Sequence, residues 1–370
     1  MTSHTAQTSR FRRAAIATVA FASASAFLVG CAATAEGEPG GGDAGDKVGV
    51  SLIVKTSANP FFIAMQEGAE ATAQEEGVNL TFAAGTQDGD EASQITAIEN
   101  AISRGDTGIL ITLNGPGVNG AIEKAREAGL YVIALDTAPD PADVVDITFA
   151  TDNRKAGNLI GSWAAEQLNG ETAVIGLLDV FDDRIVSVDY NRNQGFLEGM
   201  GIDVNDPLLN GDEAATGTYS GGAGGDYVIV GNQATGGAED GGRTAMETLL
   251  SANPDINVVY TINEPAAFGA YQALEAAGRE DDVLIVSVDG GCAGVGYVTD
   301  GIIGATAQQY PVLMAELGIK ALIELAETGE APDVTDGLDF FDTGVALVTD
   351  QPVDGVDSID TGEAGELCWG

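Results

Sequence analysis

Residues 48–77, "VGVSLIVKTSANPFFIAMQEGAEATAQEEG", decide the fold, because an apolar run, a polar turn and an amphipathic segment follow one another. The apolar run is typical of a strand buried on both faces of a parallel sheet. The segment after the turn predicts a helix that ends at a glycine. A nucleotide-binding chain places glycines at such a turn. This chain has Asn59, Pro60 and the adjacent Phe61 and Phe62 there, which suits a different ligand.

The same alternation of apolar runs and helical patterns continues toward the C terminus. Seven further runs predict strands: "VNLTFAAG", "TGILITLN", "LYVIALD", "TAVIGLLDV", "INVVYTIN", "DVLIVSVD" and "IIGATAQQ". Helical patterns lie between them, so the sequence predicts a doubly wound α/β protein with enough strands for two parallel sheets. Residues 201–225 show no such periodicity and predict a long loop or insertion.

The first 31 residues have the features of an exported lipoprotein in the expected order. A basic "RFRR" precedes an apolar stretch too short for a membrane span, and "LVGC" ends at Cys31, which resembles a lipobox. We predict that residues 1–31 are a signal peptide and that Cys31 is lipidated. An ordinary signal peptide with a chance cysteine is the alternative. Residues 32–46 are rich in glycine and acidic side chains and predict a flexible linker to the outer face of the membrane.

Composition excludes several classes of function. The chain has 15 Lys and Arg against 57 Asp and Glu, a net charge of −42 that repels nucleic acid and anionic lipid. The one histidine, His4, lies in the predicted signal peptide, so the mature chain has no imidazole for a catalytic triad or a zinc site. An oxidising compartment favours a disulfide between Cys292 and Cys368, with two free thiols as the alternative.

Polar side chains stand where five of the predicted strands end. They are Asn114, Asp136, Asn263, Asp289 and Gln309. In open α/β sheets ligands bind beyond the carboxyl ends of the strands, and carboxylate and amide groups bond neutral hydroxyls. Each residue alone is also explained as a turn or helix cap. The recurrence beside two aromatic rings predicts a binding site.

A sugar ring matches these groups, because it has apolar C–H faces and a rim of hydroxyls. Phe61 and Phe62 offer aromatic faces, Asn59 offers an amide, and Pro60 stiffens the turn. Arg192 adds a planar fork of donors that can hold a ring oxygen or two hydroxyls. The alternative is that the phenylalanines belong to the core.

The chain resembles the type I periplasmic sugar-binding proteins of ATP-binding-cassette importers, close to the fructose-binding branch. The resemblance runs from about residue 47 to the C terminus and is strongest in "NPFF", "NRNQGFLEGMGI", "VVYTINEPAAFGAYQAL", "LIVSVDGGCAGV", "GATAQQYP", "TGVALVTDQPV" and "CWG". It implies two Rossmann-like lobes joined by three crossovers near Thr151, Gln309 and Thr343. Residues 47–151 and 310–343 would form the N-terminal lobe, and residues 152–309 and 344–370 the C-terminal lobe.

The resemblance also implies the ligand contacts, which are Asn59, Phe61, Phe62, Asn114, Asp136, Arg192, Asn263, Asp289 and Gln309. One departure stands out, because ribose-binding relatives have an arginine where this chain has Thr137. Arg184 is the candidate replacement. The insertion at 201–225 also obscures which residue corresponds to the aromatic side chain that ribose-binding relatives contribute from the second lobe. The preference for fructose therefore rests on overall similarity to the fructose-binding branch.

These observations predict a monomeric, lipid-anchored receptor that binds a monosaccharide by hinge closure and delivers it to a membrane permease. No cofactor, metal or catalytic residue is expected. A sensory receptor for the same sugar is the first alternative, and a glycosidase that uses Asp136 and Asp289 is the second. The glycines of "DGGCAGVG" lack dinucleotide spacing, and the aspartate before them would repel phosphate.

Overall fold

The computed structural model describes residues 48–370, so the predicted signal peptide, Cys31 and almost all of the linker lie outside the described residues. The strands, in chain order, are β1 (Gly49–Val54), β2 (Asn79–Ala84), β3 (Gly108–Ile111), β4 (Tyr131–Leu135), β5 (Ile147–Ala150), β6 (Ala173–Asp179), β7 (Thr216–Tyr219), β8 (Gly225–Ala234), β9 (Val258–Thr261), β10 (Leu284–Asp289), β11 (Ala305–Gln308), β12 (Phe341–Asp342), β13 (Ala346–Val348) and β14 (Ser358–Ile359).

Helices connect most of these strands. They are α1 (Pro60–Glu76), α2 (Glu91–Arg104), α3 (Asn119–Glu127), α4 (Asn153–Leu168), α5 (Ser187–Met200), α6 (Glu239–Ala252), α7 (Glu264–Ala277), α8 (Cys292–Thr299), α9 (Pro311–Thr328) and α10 (Thr361–Leu367).

The strands form two sheets. One has six strands in the order β12-β5-β4-β3-β1-β2, and the other has eight in the order β14-β13-β11-β10-β9-β6-β8-β7. Every pair is parallel except β7–β8 and β11–β13. The α/β class with two parallel sheets is therefore confirmed, and all eight strands predicted from the sequence are present.

Burial on both faces explains why the predicted strands are continuously apolar. In β1, Val50 and Leu52 lie in the core cluster that contains Met65 of α1 and Met314 of α9. Ile53 of the same strand lies in a different cluster, on the other face of the sheet. Helices on both faces of the sheet keep water away from every side chain of such a strand. An alternation of apolar and polar residues is therefore not expected.

The chain crosses between the sheets three times. It leaves the six-stranded sheet after β5, returns to it through α9 and β12, and leaves again before β13. The first and third crossings lie side by side, because the Thr343 amide donates to the Ala150 carbonyl at 2.9 Å and the Thr151 hydroxyl donates to the Gly344 carbonyl at 3.3 Å. Short adjacent segments of this kind are suited to act as a hinge. We refer to the two sheets with their helices as the first and second lobe.

The prediction of a loop across residues 201–225 was partly wrong. Residues 216–219 form β7, which pairs antiparallel with β8 at the edge of the second sheet. The sequence "TGTY" carries no apolar run because three of its four residues are exposed. Edge strands of this kind depend on backbone pairing with a neighbour, which a local pattern does not reveal.

Candidate functional site

Residues from both lobes line one small cavity between the carboxyl ends of the two sheets. Among the residues predicted from the sequence, the cavity is lined by Asn59, Phe61, Phe62, Asp136, Arg192, Asn263, Asp289 and Gln309. Parallel strands bring their carboxyl ends to one edge of a sheet, which is why residues far apart in sequence meet there.

Four buried charges alternate in sign across the cavity. The Lys55 Nζ lies 3.6 Å from Asp136 Oδ2, the Arg192 Nη2 lies 3.6 Å from Asp136 Oδ1, and the Arg192 Nη1 lies 3.9 Å from Asp289 Oδ1. All four side chains are under 10% exposed. These separations are longer than hydrogen bonds, so the charges balance one another while hydrogen-bonding capacity remains for a ligand.

Arg192 is fixed from behind. Its Nε donates to Asn153 Oδ1 at 2.7 Å, and its Nη1 donates to the Ile262 carbonyl at 2.9 Å. Helix α5, which carries Arg192, packs very closely on α4, since a Cβ on Gly157 would overlap the Arg192 carbonyl oxygen. The guanidinium therefore reaches the cavity in a single orientation, which lowers the entropy cost of binding a ligand.

Both carboxylates of the cavity sit on unusual backbone. Asp136 has φ 63° and Asp289 has φ 148°, values that favour glycine. The Thr137 hydroxyl donates to Asp136 Oδ2 at 2.7 Å, and Gln309 Nε2 donates to Asp289 Oδ1 at 3.0 Å. Such strain persists where the surrounding structure enforces it, and it concentrates at ligand sites.

Gln309 carries the clearest unused hydrogen-bonding atom of the cavity. Its side chain is fully buried, its Nε2 bonds Asp289, and its Oε1 has no hydrogen-bond partner. A buried acceptor without a partner is costly, and a hydroxyl donor from a ligand would satisfy it.

Phe61 and Phe62 lie at the cavity wall and belong to the core at the same time. Each is 4% exposed. Their rings meet edge to face with centroids 5.3 Å apart, and Phe61 makes a second such contact with Trp369 of the second lobe. The two readings of these residues from the sequence are therefore compatible, because buried rings also present part of their surface to the cavity.

Two amides of the cavity also cap helices. Asn59 Oδ1 accepts from the Phe61 amide at 2.9 Å at the start of α1, and Asn263 Oδ1 accepts from the Ala266 amide at 3.1 Å at the start of α7. Asn263 Nδ2 also donates to the Gly237 carbonyl. Capping fixes the position of each side chain. The second lone pair of each Oδ1 and the amide hydrogens of Asn59 remain for a ligand.

Asn114 is not among the residues that line the cavity, which corrects its predicted role. Its Oδ1 accepts from the Gly89 amide at 2.8 Å, and its Nδ2 donates to the carbonyls of Lys55 and Asp90. The amide is therefore used within the first lobe, where it supports Lys55 and the loop before α2.

Arg184 does not supply the missing arginine beside Asp136. Its guanidinium pairs with Asp183 on the surface and lies over the Phe181 ring, outside the cavity. The structure instead places the Lys55 ammonium next to Asp136.

Sequence reasoning missed two charged residues of the cavity, Lys55 and Asp88. Lys55 directly follows β1, so the sequence does signal it, as a charged residue at the end of an apolar run. Asp88 lies in the loop after β2, and burial raises its pKa from the ordinary value. A loop residue several positions beyond its strand gives no comparable signal.

Asp289 is joined by a second buried carboxyl group, Glu264 of α7. Glu264 Oε1 accepts from the Gly290 amide at 2.7 Å and from the Thr306 hydroxyl at 2.8 Å, and its Oε2 accepts from the Gly291 amide. Burial raises the pKa of Glu264 to about 8, and it raises the pKa of Asp289 to about 7 although Arg192 opposes the shift. Glu264 thus holds the turn that directs Asp289 into the cavity.

The raised pKa values of Glu264 and Asp289 predict how the free energy of unfolding depends on pH. Their pKa values in the folded protein exceed the ordinary values of 4.5 and 3.8, so the folded state retains protons that the unfolded chain has released. The free energy of unfolding should therefore fall, by on the order of a few kcal/mol, as the pH rises from these ordinary pKa values toward about 8. Thermal unfolding of the ligand-free protein measures this, and Asp289→Asn should flatten the dependence. A melting temperature that rises over the same interval would contradict it.

Neither a metal centre nor a membrane span is present in the described part of the chain. Within residues 48–370 no group of three or more His, Cys, Asp or Glu side chains is placed to hold a metal ion. No helix in that range is long and apolar enough to cross a membrane. The structure joins Cys292 and Cys368 in a disulfide near the cavity.

Comparison with known proteins agrees with this geometry. The family described as "Periplasmic binding protein domain" matches residues 50–331, which is more than half of the chain. The ribose import binding protein of Salmonella typhimurium is 27% identical over 272 residues, covering 73% of this chain and 82% of that protein. The D-ribose/D-allose-binding protein of Pseudomonas aeruginosa is 27% identical over 313 residues, covering 82% and 89%.

Solved structures give the same result. An ABC transporter solute binding protein from Agrobacterium vitis with bound D-fucose has a TM-score of 0.70 at 26% identity, covering 87% of this chain and all of that one. A carbohydrate transporter solute binding protein from Agrobacterium radiobacter in complex with D-arabinose has a TM-score of 0.71, covering 88% and 99%. At 21% identity the latter is evidence of fold alone.

Two lobes, adjacent crossing segments and a polar cavity between strand ends define a protein that binds a ligand in a cleft. The chain belongs to the periplasmic binding protein domain family, and its recognition from the sequence as a type I periplasmic sugar-binding protein is confirmed.

Proposed function

We propose that this protein binds a neutral monosaccharide in the cavity and delivers it to an ABC-type permease without catalysing a reaction. The observation that carries this proposal is the cavity's set of oriented groups. Arg192, Asp136, Asp289 and Gln309 line one space, and the Gln309 Oε1 has no hydrogen-bond partner among the described residues. Such groups donate to and accept from neighbouring hydroxyls, while Phe61 and Phe62 border the same space.

Charge supports a neutral ligand. Lys55 and Arg192 face Asp88, Asp136 and Asp289, so the cavity has no excess of cations to neutralise a phosphate or a carboxylate. Burying an unpaired anion would be expensive. Sugar phosphates and sugar acids are therefore disfavoured relative to pentoses and hexoses.

The relatives narrow the class of sugar without fixing one member. Their names specify ribose, allose and apiose, and the structure at 26% identity contains D-fucose. Fructose stays a candidate from overall sequence similarity only. This chain has Thr137 where the ribose-binding relatives have an arginine, and it places the Lys55 ammonium beside Asp136. These two features are where the cavity would select a different sugar.

Contacts between the lobes support closure around the ligand. The Ser187 hydroxyl donates to the Ala138 carbonyl at 2.6 Å, and Arg184 Nη1 donates to the Gly89 carbonyl at 3.4 Å. Each bond joins a loop of the first lobe to a segment of the second. Bending at Thr151 and Thr343 would break these bonds and open the cleft.

The predicted location completes the proposal. Lipidation of Cys31 and a linker over residues 32–46 would hold a monomeric receptor at the outer face of the membrane, beside its permease. Presentation of the sugar to a sensor protein is the alternative, and the cavity serves both equally. A permease gene adjacent to this gene would favour transport.

A panel of monosaccharides tests the proposal by thermal shift and calorimetry. The cognate sugar at 100 times its Kd should stabilise the protein by about 2.7 kcal/mol. Asp289→Asn should remove the response, because the asparagine no longer accepts two hydroxyl hydrogen bonds as a carboxylate does. Asp300→Asn makes the same exchange at an exposed residue after α8 that does not line the cavity, so it is the matched control and should keep the response. Binding of sugar phosphates in preference to neutral sugars would refute the proposal.

A further inference from the structure

A second and larger space adjoins the cavity. We call it the groove; it has a volume of about 570 Å³ and lies between the lobes on one side of the cavity. The groove and the cavity share Asn59, Asp88, Gly237 and Asp289 as lining residues. A group attached to a sugar in the cavity can therefore reach the groove directly.

Flat apolar rings form much of the groove. Phe268 of α7 and Tyr297 of α8 stack with centroids 4.9 Å apart and planes within 4°, and both are half-buried. Pro60, Pro265 and Trp369 line the same space. Phe268 and Tyr297 each pack one face on the other, and the rest of their surface, together with the Trp369 and proline rings, gives the groove an apolar wall suited to another ring.

The charged lining of the groove excludes anionic occupants. Its ionisable side chains are the carboxyl groups of Asp88, Glu239, Glu264 and Asp289, and no lysine or arginine of residues 48–370 lines it. Glu264 already accepts bonds from the Gly290 and Gly291 amides. A phosphate, a nucleotide or a uronic acid would find no cation in this lining and would lie in an acidic groove, whereas a neutral ring needs no counter-charge.

The two hydrogen bonds named above between the lobes lie outside the groove. The bonds of Ser187 to Ala138 and of Arg184 to Gly89 involve residues that do not line it. Within residues 48–370 no hydrogen bond joins its two walls. The lobes also meet where the Trp369 ring, which lines the groove, packs edge to face on Phe61, and beside this contact the groove keeps a volume of about 570 Å³.

We propose that the groove is a subsite for a neutral ring linked to the sugar in the cavity, so that the ligands of this protein include glycosides. This inference rests on the proposed sugar-binding function. Aryl glycosides and disaccharides share the required chemistry, a neutral ring joined through the glycosidic oxygen. The aromatic walls stack on either, and Asn59 and the backbone around Gly237 lie where the linkage passes.

Calorimetry on the purified protein tests the inference with both anomers of each monosaccharide, its methyl and phenyl glycosides, and its disaccharides. A phenyl glycoside or a disaccharide should bind at least as tightly as the parent sugar. Ala293 is exposed and lines the groove, so the indole of Ala293→Trp should fill the groove. The affinity for the glycoside should fall about ten-fold or more, while the affinity for the parent sugar stays unchanged. Ala276→Trp, at an exposed position of α7 that does not line the groove, is the control and should leave both ligands unchanged.

The outcomes separate this inference from the proposed function. If monosaccharides bind and no glycoside does, the inference is overturned and the sugar-binding function stands. If glycosides bind and monosaccharides do not, the inference holds and the ligand class must be revised. Binding of neither overturns both. The inference would also be overturned if Phe268→Ala and Ala293→Trp lowered the affinity for the glycoside and for the parent sugar equally, because the groove would then not act as a separate subsite.

Discussion

Replacing Arg192 by alanine should lower the free energy of unfolding by about 3–5 kcal/mol and abolish sugar binding. The guanidinium lies between the buried carboxylates of Asp136 and Asp289 and donates to Asn153 and to the Ile262 carbonyl. Without it Asp289 loses its cationic partner, Asp136 keeps only Lys55, and two acceptors lose a donor. The burial of Arg192 is the reason to expect a loss of stability in addition to the loss of binding.

Urea unfolding and calorimetry would measure both effects. Arg192→Lys keeps the charge but loses the planar fork, so it should retain more stability than Arg192→Ala and still bind sugar weakly. The matched control is Arg154→Ala, which breaks a partly exposed pair with Glu198 and should cost no more than about 1 kcal/mol. Wild-type stability together with wild-type affinity in Arg192→Ala would show that this side chain is not part of the site.

Removing the disulfide should cost about 4 kcal/mol. Cys292 and Cys368 are 76 residues apart, and restricting a loop of that length lowers the entropy of the unfolded chain by roughly this amount. The Cys292 amide also donates to the Trp369 carbonyl, while the Trp369 indole donates to the Gln309 carbonyl and touches Phe61. Loss of the bridge should therefore weaken sugar binding as well, since Trp369 supports the cavity wall.

The double variant Cys292→Ser/Cys368→Ser and chemical reduction of the native protein should give the same destabilisation. Cys31→Ser is the matched control, because the third cysteine takes no part in this bridge and its removal should leave unfolding unchanged. Insensitivity of the native protein to a thiol reductant in urea unfolding would contradict the prediction.

The predictable part of the fold was the part encoded by local burial. Strands such as β1 and β10 are covered on both faces, so each appears in the sequence as an uninterrupted apolar run. Strand β7 is mostly exposed and exists through pairing with β8, so residues 201–225 gave no periodic signal.

The candidate site divides in the same way. Asp136 and Asp289 were found because they stand where apolar runs stop, and the edge of a parallel sheet gathers such positions. Asn114 occupies an equivalent position, yet its amide is used by Gly89 and Lys55. Only the folded contacts distinguish a side chain that faces the cavity from one that supports it.

The sequence by itself determined the class of fold, the acidic character and the residue types available for binding, because burial periodicity and composition are local properties of a chain. The tertiary structure decided that Lys55 and Asp88 share the cavity with Arg192, that Arg184 lies outside it, and that an aromatic groove adjoins it. Those facts depend on distances between segments that are far apart in the chain, and such distances are set only when both lobes pack against each other.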